Sequence, residues 1–165
     1  MLLREADDAD WPSIHPVYRA VMDDGRTYVN PAGQSSEEAR AAWMTEPPGR
    51  TVVAVDEDGT VLGSARMGPN RPGRGAHVAT GSFIVAPAAR GRGVGRALGE
   101  HLVQWAREAG YRGIQFNAVV ELNHAAIALW RSLGFAIVGT VPGAFAHPDA
   151  GYVGLHVMYK DLTEA

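Results

Sequence analysis

The chain has 165 residues, 46% of them hydrophobic and 20% charged, with a formal net charge of −3 and no cysteine. That length and balance suit one domain over residues 1–165, with a core large enough to need no covalent or metal staple. The missing cysteines exclude a disulfide framework, a thiolate zinc site and a cysteine nucleophile, and no other pattern points to a metal. The slight negative charge gives no global case for nucleic acid. The N-terminus turns acidic at Glu5, Asp7 and Asp8 and carries no signal-peptide apolar run. No stretch approaches the roughly 20 apolar residues of a membrane span, so no membrane partner is expected and the cytoplasm is the default compartment.

Leu2–Glu5 reads as a first strand. Residues 9–23 read as a helix with an aspartate cap at its start, interrupted or bent at Pro16, which lacks the N–H that a helix interior needs. Residues 35–46 form a stronger helix, capped by Ser35 or Ser36 and stopped by Pro47 and Pro48. Residues 50–56 and 60–67 are β-branched runs joined by Glu57-Asp58-Gly59, a tight-turn sequence, so they form a hairpin. The Pro/Gly-rich stretch 68–75 connects this hairpin to the strand 77–85. Residues 94–109 are helical, with Val94, Leu98, Leu102, Trp105 and Ala109 three or four apart. Residues 113–120 form a strand, 123–133 a helix, and 135–141 and 152–160 the closing strands. Between these last two, residues 142–151 (PGAFAHPDAG) read as a loop excursion of the kind that covers a site. The order β-α-α-β-β-β-α-β-α-β-β is that of a mixed α/β domain.

The chemistry gathers at Ser82–Glu100, SFIVAPAARGRGVGRALGE. A strand runs into a glycine-rich turn and then directly into a helix. Gly91, Gly93 and Gly95 let the main chain approach a ligand where a side chain would collide. The first turn of the helix has unpaired N–H groups and a partial positive charge, which together attract an anion. Arg90, Arg92 and Arg96 add charge, and so local a cluster suits a small anionic ligand. The turn lacks the Gly-Lys-Ser/Thr of a P-loop, and its glycines do not have the dinucleotide-fold spacing.

Arg90-Gly91-Arg92-Gly93-Val94-Gly95 resembles the Arg/Gln-x-x-Gly-x-Gly/Ala signature of the GNAT superfamily of N-acetyltransferases. A second segment, Asn123-His-Ala-Ala-Ile-Ala-Leu-Trp-Arg-Ser-Leu-Gly-Phe135, is similar to that family's Asn-x-x-Ala-x-x-Leu-Tyr-x-x-x-Gly-Phe motif. The resemblance covers nearly the whole chain. It implies the GNAT fold, an α/β (α+β) domain with a mostly antiparallel sheet of six to seven strands splayed between the fourth and fifth. It implies acetyl-CoA as cofactor, CoA as product and a small-molecule amine as acceptor, with a homodimer as a frequent assembly. By resemblance, Phe83, Ile84 and Val85 lie on the splaying strand, and Val85 pairs with the pantetheine amides as an added strand does. Arg90, Gly91, Arg92, Gly93, Val94, Gly95 and Arg96 cradle the pyrophosphate. Asn123 bonds near the pantetheine or simply caps its helix.

Acyl transfer to an amine needs a path for the amine's proton and a donor for the charge that builds on the carbonyl oxygen, here the amide near Val85. An acid for the leaving thiolate can help. Relatives often carry a tyrosine for that purpose where this chain has Trp130, and an indole N–H donates but is no useful acid. Trp130 can still bond to or pack against the cofactor sulfur. Ser132, water or an acceptor-side tyrosine are the remaining proton sources. Some relatives use a glutamate base where this chain has Ala118. Glu121 lies nearby but reads as a solvated loop residue, and His77 is a weaker candidate.

Asn117, on a strand expected to be buried, is the candidate for handling the substrate, since a buried amide needs partners. Tyr28 and Tyr152 are candidates for the acceptor pocket, and Trp43 either walls that pocket or packs in the core. Thr27-Tyr28, Phe116-Asn117, Leu129-Trp130-Arg131 and Val141-Pro-Gly-Ala-Phe145 are similar to a subgroup that includes the L-azetidine-2-carboxylate acetyltransferases, which favours an amino or imino acid. Three alternatives remain open: an acetyltransferase of small amines or of a peptide amine, a CoA-binding sensor without turnover, and an unrelated nucleotide binder.

Overall fold

The computed structural model describes residues 1–163. Seven strands form one sheet, β1 (Leu2–Glu5), β2 (Arg50–Val55), β3 (Val61–Pro69), β4 (Val78–Val85), β5 (Gly113–Val120), β6 (Ala136–His147) and β7 (Gly151–Asp161). Their order is β1-β2-β3-β4-β5-β7-β6. Every pairing is antiparallel except β4 with β5. Helices α1 (Trp11–Asp24) and α2 (Ser36–Trp43) cover one face, and α3 (Val94–Glu108) and α4 (His124–Ser132) belong to the other. Strands β3 and β4 supply both cores, and the register shift at Ala54/Val55 lets Val61 face away from Ala65 and Met67. Ala65 and Met67 pack with Leu98, Leu102 and Trp130, while Val61 and Ile84 pack with Ile14, Tyr18 and Trp43.

The strand and helix expectations hold, with three corrections. Pro16 does not interrupt α1, which runs unbroken from Trp11 to Asp24. The helix starts late enough that Pro16 falls in its second turn and costs one main-chain bond, and Ile14, Val17, Tyr18 and Val21 hold it to the sheet. Helix α2 ends at Trp43 rather than at Glu46, because Met44 turns extended and Thr45 bonds to Thr51. Residues 142–151 are not an excursion. Strands β6 and β7 pair almost through to their turn, from Ala136↔Tyr159 to His147↔Gly151, with a register shift between Val141 and Phe145. Strand β6 is the sheet edge, where a proline such as Pro142 removes no ladder bond that matters.

The sheet's first edge is tied to α1 by charge. Arg4 grips both oxygens of Asp10 at 2.7 Å each, and the Asp10 carboxylate also accepts from the Asp7 N–H. The Arg4 hydrogen bonds hold the Asp10 carboxyl below the usual carboxylate range, against an opposing push from burial. The contribution is therefore fully present above the unfolded carboxylate's pKa of about 4 and disappears as pH falls through the lower folded value. Asp10→Asn should be less stable than the parent at pH 7, and the gap should shrink as the pH falls below about 4 and close once the folded carboxyl is protonated. Urea midpoints measured across pH 2–7 check this, and a gap independent of pH would remove the ion pair as its cause.

Candidate active site

Strands β4 and β5 pair only at Val78↔Gly113 and Ala79↔Ile114, although β4 continues to Val85 and β5 to Val120. Beyond Ala79 the two strands part. In the antiparallel ladder with β3, alternate residues of β4 turn their N–H and C=O away from β3. Phe83 is one, since both its groups meet a side chain rather than β3. Val85 follows in the same phase, because Ala86 N–H bonds to Leu62 on β3. The open side of β4 is thus an unpaired strand edge.

Aromatic rings hold the strands apart. Trp130 of α4 lies 4.7 Å from the Phe83 ring and 4.8 Å from the Phe116 ring, and Phe116 stacks on Phe135 at 4.5 Å. Strands in a ladder sit ≈ 4.8 Å apart, too close to admit a ring. Gly99 makes the wedge fit, since a Cβ there would come within 2.8 Å of both Trp130 and Leu133. Trp130 is therefore brought to the cavity, but as a 7% exposed member of this cluster.

A cavity of about 420 Å³ occupies the splay, lined by Tyr28, Arg66, Phe83, Val85, Asn117, Asn123 and Trp130 among others. A second, of about 400 Å³, continues past Val85 to Arg90, Asn123 and His147. The hairpin tip closes its outer side, where Arg26 bridges Asp24 at 2.9 Å and Asp149 at 2.7 Å. Ile84 also borders this second cavity, but its side chain is buried in the core and its main-chain groups fall in the phase that faces β3.

The glycine-rich turn sits at the start of α3. Gly91 and Gly93 have φ of 75° and 80°, in the left-handed region, and a Cβ on either would meet nothing within 4 Å. No side chain caps α3, in contrast to α2, capped by Ser35, and α4, capped by Asn123. The first N–H groups of α3, at Val94, Gly95 and Arg96, therefore have no side-chain acceptor, and the space before them is open. Arg90 and Arg92 are exposed beside it. Arg96 is engaged elsewhere, donating to Ser132 at 2.8 Å and facing Glu100 at 3.5 Å.

The remaining candidates divide. The Tyr28 hydroxyl accepts from Phe83 N–H at 2.8 Å and donates to Phe83 C=O at 2.7 Å, satisfying the strand edge at that residue. Burial pushes this hydroxyl up to about 12, partly offset by the Phe83 hydrogen bond and the Arg66 charge. Asn117 is not buried. The register shift between Phe116 and Val119 turns it outward, where it exchanges amide bonds with Asn70 at 2.7 and 3.2 Å and accepts from Gln115. It stands at the mouth of the cavity. Asn123 caps its helix, its side-chain oxygen accepting from Ala126 N–H, and also lines the cavities.

Tyr152 is 82% exposed and lines none of these cavities, because the continuous β6–β7 pairing carries it onto the outer surface. Trp43 is 2% exposed and donates to Ser64 in the core. Ser132 donates to Leu129 C=O, away from the splay. Glu121 is no free loop carboxylate, since it accepts from Gly154 N–H and anchors β7. His77 is exposed and lines neither cavity. Thr80 and Ser82, on the strand 77–85 expected to help form the pocket, line the splay cavity, and so does Arg66, which the sequence did not single out. The signal was present for Arg66: it is the one charge inside the apolar run Val61–Met67.

A sheet opened along one strand, leading to an uncapped helix start with an arginine border, defines a protein that takes an extended ligand ending in an anion. The sequence comparisons give that class its family. Residues 14–135 match the acetyltransferase (GNAT) family, and the chain belongs to it. The structure of a GCN5-related N-acetyltransferase from Kribbella flavida is 60% identical, with a TM-score of 0.95 over 98% of this chain and 97% of that one. A phosphinothricin acetyltransferase from Sinorhizobium meliloti, in complex with AcCoA, is 28% identical, with a TM-score of 0.86 over 97% and 87%. The L-methionine sulfoximine/L-methionine sulfone acetyltransferase of Salmonella typhimurium is 30% identical over 86% of this chain and 84% of its own. The match to N-acetyltransferase aca1 of Schizosaccharomyces pombe, at 32% identity over 69% of this chain, spans only 52% of that protein.

Acetyl-CoA is the cofactor of this family, and the site fits it: the open strand edge suits an amide-bearing arm, and the open, uncapped helix start suits a pyrophosphate. No helix among the described residues is long and apolar enough to cross a membrane.

Removing the Tyr28 hydroxyl should strand two main-chain groups at Phe83. Tyr28→Phe should cost about 1–3 kcal/mol of stability, read as the urea midpoint. An unchanged midpoint would mean that the hydroxyl does not hold Phe83 in solution.

Proposed function

We propose that this protein transfers the acetyl group of acetyl-CoA to the amine of a small amino or imino acid. One observation carries the reading: the main-chain edge at Val85 is open, and it leads directly to the uncapped start of α3. Val85 would pair with the pantetheine arm by main-chain hydrogen bonds. Gly91–Gly95 would present N–H groups to the pyrophosphate, with Arg90 and Arg92 adding charge from the rim. The amide hydrogens of Asn123 would reach the arm between these two ends. Acetyl-CoA supplies an acetyl group already activated as a thioester, so positioning can provide much of the rate. In the overall exchange the amine nitrogen bonds to the acetyl carbon, the carbon–sulfur bond breaks, one proton leaves the nitrogen and CoA departs as its thiol.

The proton path follows from what lines the splay cavity. Among the described residues its walls hold no aspartate, glutamate or histidine. The amine must therefore arrive neutral or give its proton to water. Trp130 would pack against the arm at its sulfur end rather than serve as an acid, because its ring is held by Phe83 and Phe116. With no carboxylate or imidazole on the walls of the splay cavity to titrate, kcat/KM should climb with pH until it reaches the acceptor amine's own pKa. A limb that stays fixed near pH 6–7 when acceptors of different pKa are exchanged would instead point to a base on the protein.

The small-acceptor reading is supported by the relatives named for methionine sulfone and phosphinothricin. The subgroup similarity adds azetidine-2-carboxylate to the candidates. A homodimer would form most readily along β6, the sheet edge, where Val138 and Val141 are exposed.

A screen for free thiol released from acetyl-CoA, run across amino acids, imino acids, polyamines and peptides, tests the assignment. Release with an amino or imino acid is expected, whereas binding without release from any amine would indicate a sensor. The variant Gly93→Glu should lower acetyl-CoA affinity by well over tenfold, because its carboxylate would stand in the anion site. It should also lose about 1–2 kcal/mol of stability, because Gly93 sits at positive φ. Unchanged affinity by calorimetry would overturn the phosphate role of the turn.

A further inference from the structure

The acceptor end of the splay cavity contains one charged side chain, Arg66. It lies on β3 opposite Ser82, one residue from Phe83 on the open strand edge. The residue is half-buried, and one guanidinium nitrogen donates to Ala42 C=O at 2.9 Å. Among the described residues Arg66 faces no carboxylate, and the other arginines without an ion pair are all exposed, whereas Arg66 is half-buried. A guanidinium carries five donors in a planar fork, and one carbonyl leaves most of them free. Withdrawing a cation from water without a counter-charge is costly.

Around Arg66 the walls are neutral and can hydrogen-bond: Thr80, Ser82 and Asn117 line the same cavity. These residues and Arg66 also line a groove of about 610 Å³ that opens toward Met44–Gly49, so the acceptor has a route in that bypasses the cofactor arm. Glu46 stands on that groove, but it is exposed and does not pair with Arg66. The Arg66 charge reaches the Tyr28 hydroxyl, whose titration it pulls downward, and that hydroxyl sits on Phe83.

We infer that Arg66 is the specificity-determining residue of the acceptor site and binds the α-carboxylate of a free amino or imino acid. The inference rests on the acetyltransferase reading above and narrows its substrate class. A planar carboxylate matches the guanidinium fork in two parallel hydrogen bonds. In an α-amino acid the carboxylate and the amine share one carbon, so a carboxylate held at Arg66 keeps the amine inside the same cavity, beside Phe83 and on the side of the open edge at Val85. A lysine side chain separates those two groups by a long stem. A peptide N-terminus replaces the carboxylate with an amide, and a polyamine brings a second cation toward Arg66. All three should be poor acceptors.

The test compares L-methionine sulfone, L-azetidine-2-carboxylate and the common L-amino acids, each beside its own α-carboxamide. The parent and the variants Arg66→Gln and Arg66→Lys are assayed by thiol release, and binding of the same compounds to the CoA-loaded proteins is measured by calorimetry. The parent should favour acid over carboxamide by about tenfold to a hundredfold. In Arg66→Gln the preference should vanish through a raised KM for the acid, with acetyl-CoA affinity unchanged. Arg66→Lys, which keeps the charge but loses the fork, should fall between. Equal use of acid and carboxamide by the parent, or a preference that survives Arg66→Gln, overturns the inference. If no compound is turned over, the acetyltransferase reading fails on its own account, and calorimetry still decides whether Arg66 selects carboxylates.

Discussion

The missing ladder between β4 and β5 governs this molecule. Two parallel strands that begin in register at Val78↔Gly113 lose contact after Ala79. A strand edge inside a sheet is normally satisfied by its neighbour, and an unsatisfied one is expensive. The chain meets part of that cost with a side chain, because the Tyr28 hydroxyl takes both main-chain groups of Phe83. It leaves the next outward pair, at Val85, facing the cavity. The rings of Phe83, Phe116 and Trp130 keep the gap from closing. One aromatic cluster is thus both core and wedge.

The electrostatics follow the same axis. At one end, the uncapped start of α3 and the exposed Arg90 and Arg92 favour a diphosphate. At the other, Arg66 lies among neutral walls. The two cationic ends are separated by an apolar and amide-lined passage. On the function proposed above, such a passage would take a long molecule with an anionic tail from one side and a short anionic one from the other. The carboxylates that could have served as a base are held elsewhere. Glu121 is tied to Gly154, and Asp24 and Asp149 share Arg26.

Much of the fold was legible because its signals are local. The Gly-rich turn, the caps at Ser35 and Asn123, and the 3.6-residue apolar period of α3 each depend on residues a few positions apart. What misled were features set by distant neighbours. Pro16 looks like a break until the α1 face is seen gripping the sheet. Pro142 and Gly143 look like a loop until β6 is seen at an edge that tolerates them. Asn117 looks buried, being flanked by apolar residues, but a register shift against β7 turns it outward.

The sequence alone marked the glycine-rich turn and the helix start without a capping side chain, because an open backbone cradle is written in local residues, and its resemblance to the family supplied the class of cofactor. It also determined that position 130 carries no useful acid, since an indole N–H donates a hydrogen bond but is far too weak an acid to give up its proton. Only the tertiary structure decided which polar residues share the acceptor end. Arg66, Tyr28 and Asn117 come from segments far apart in the chain, and no periodicity links them. Their meeting depends on how far β4 and β5 are wedged apart, a distance set by ring against ring across three elements.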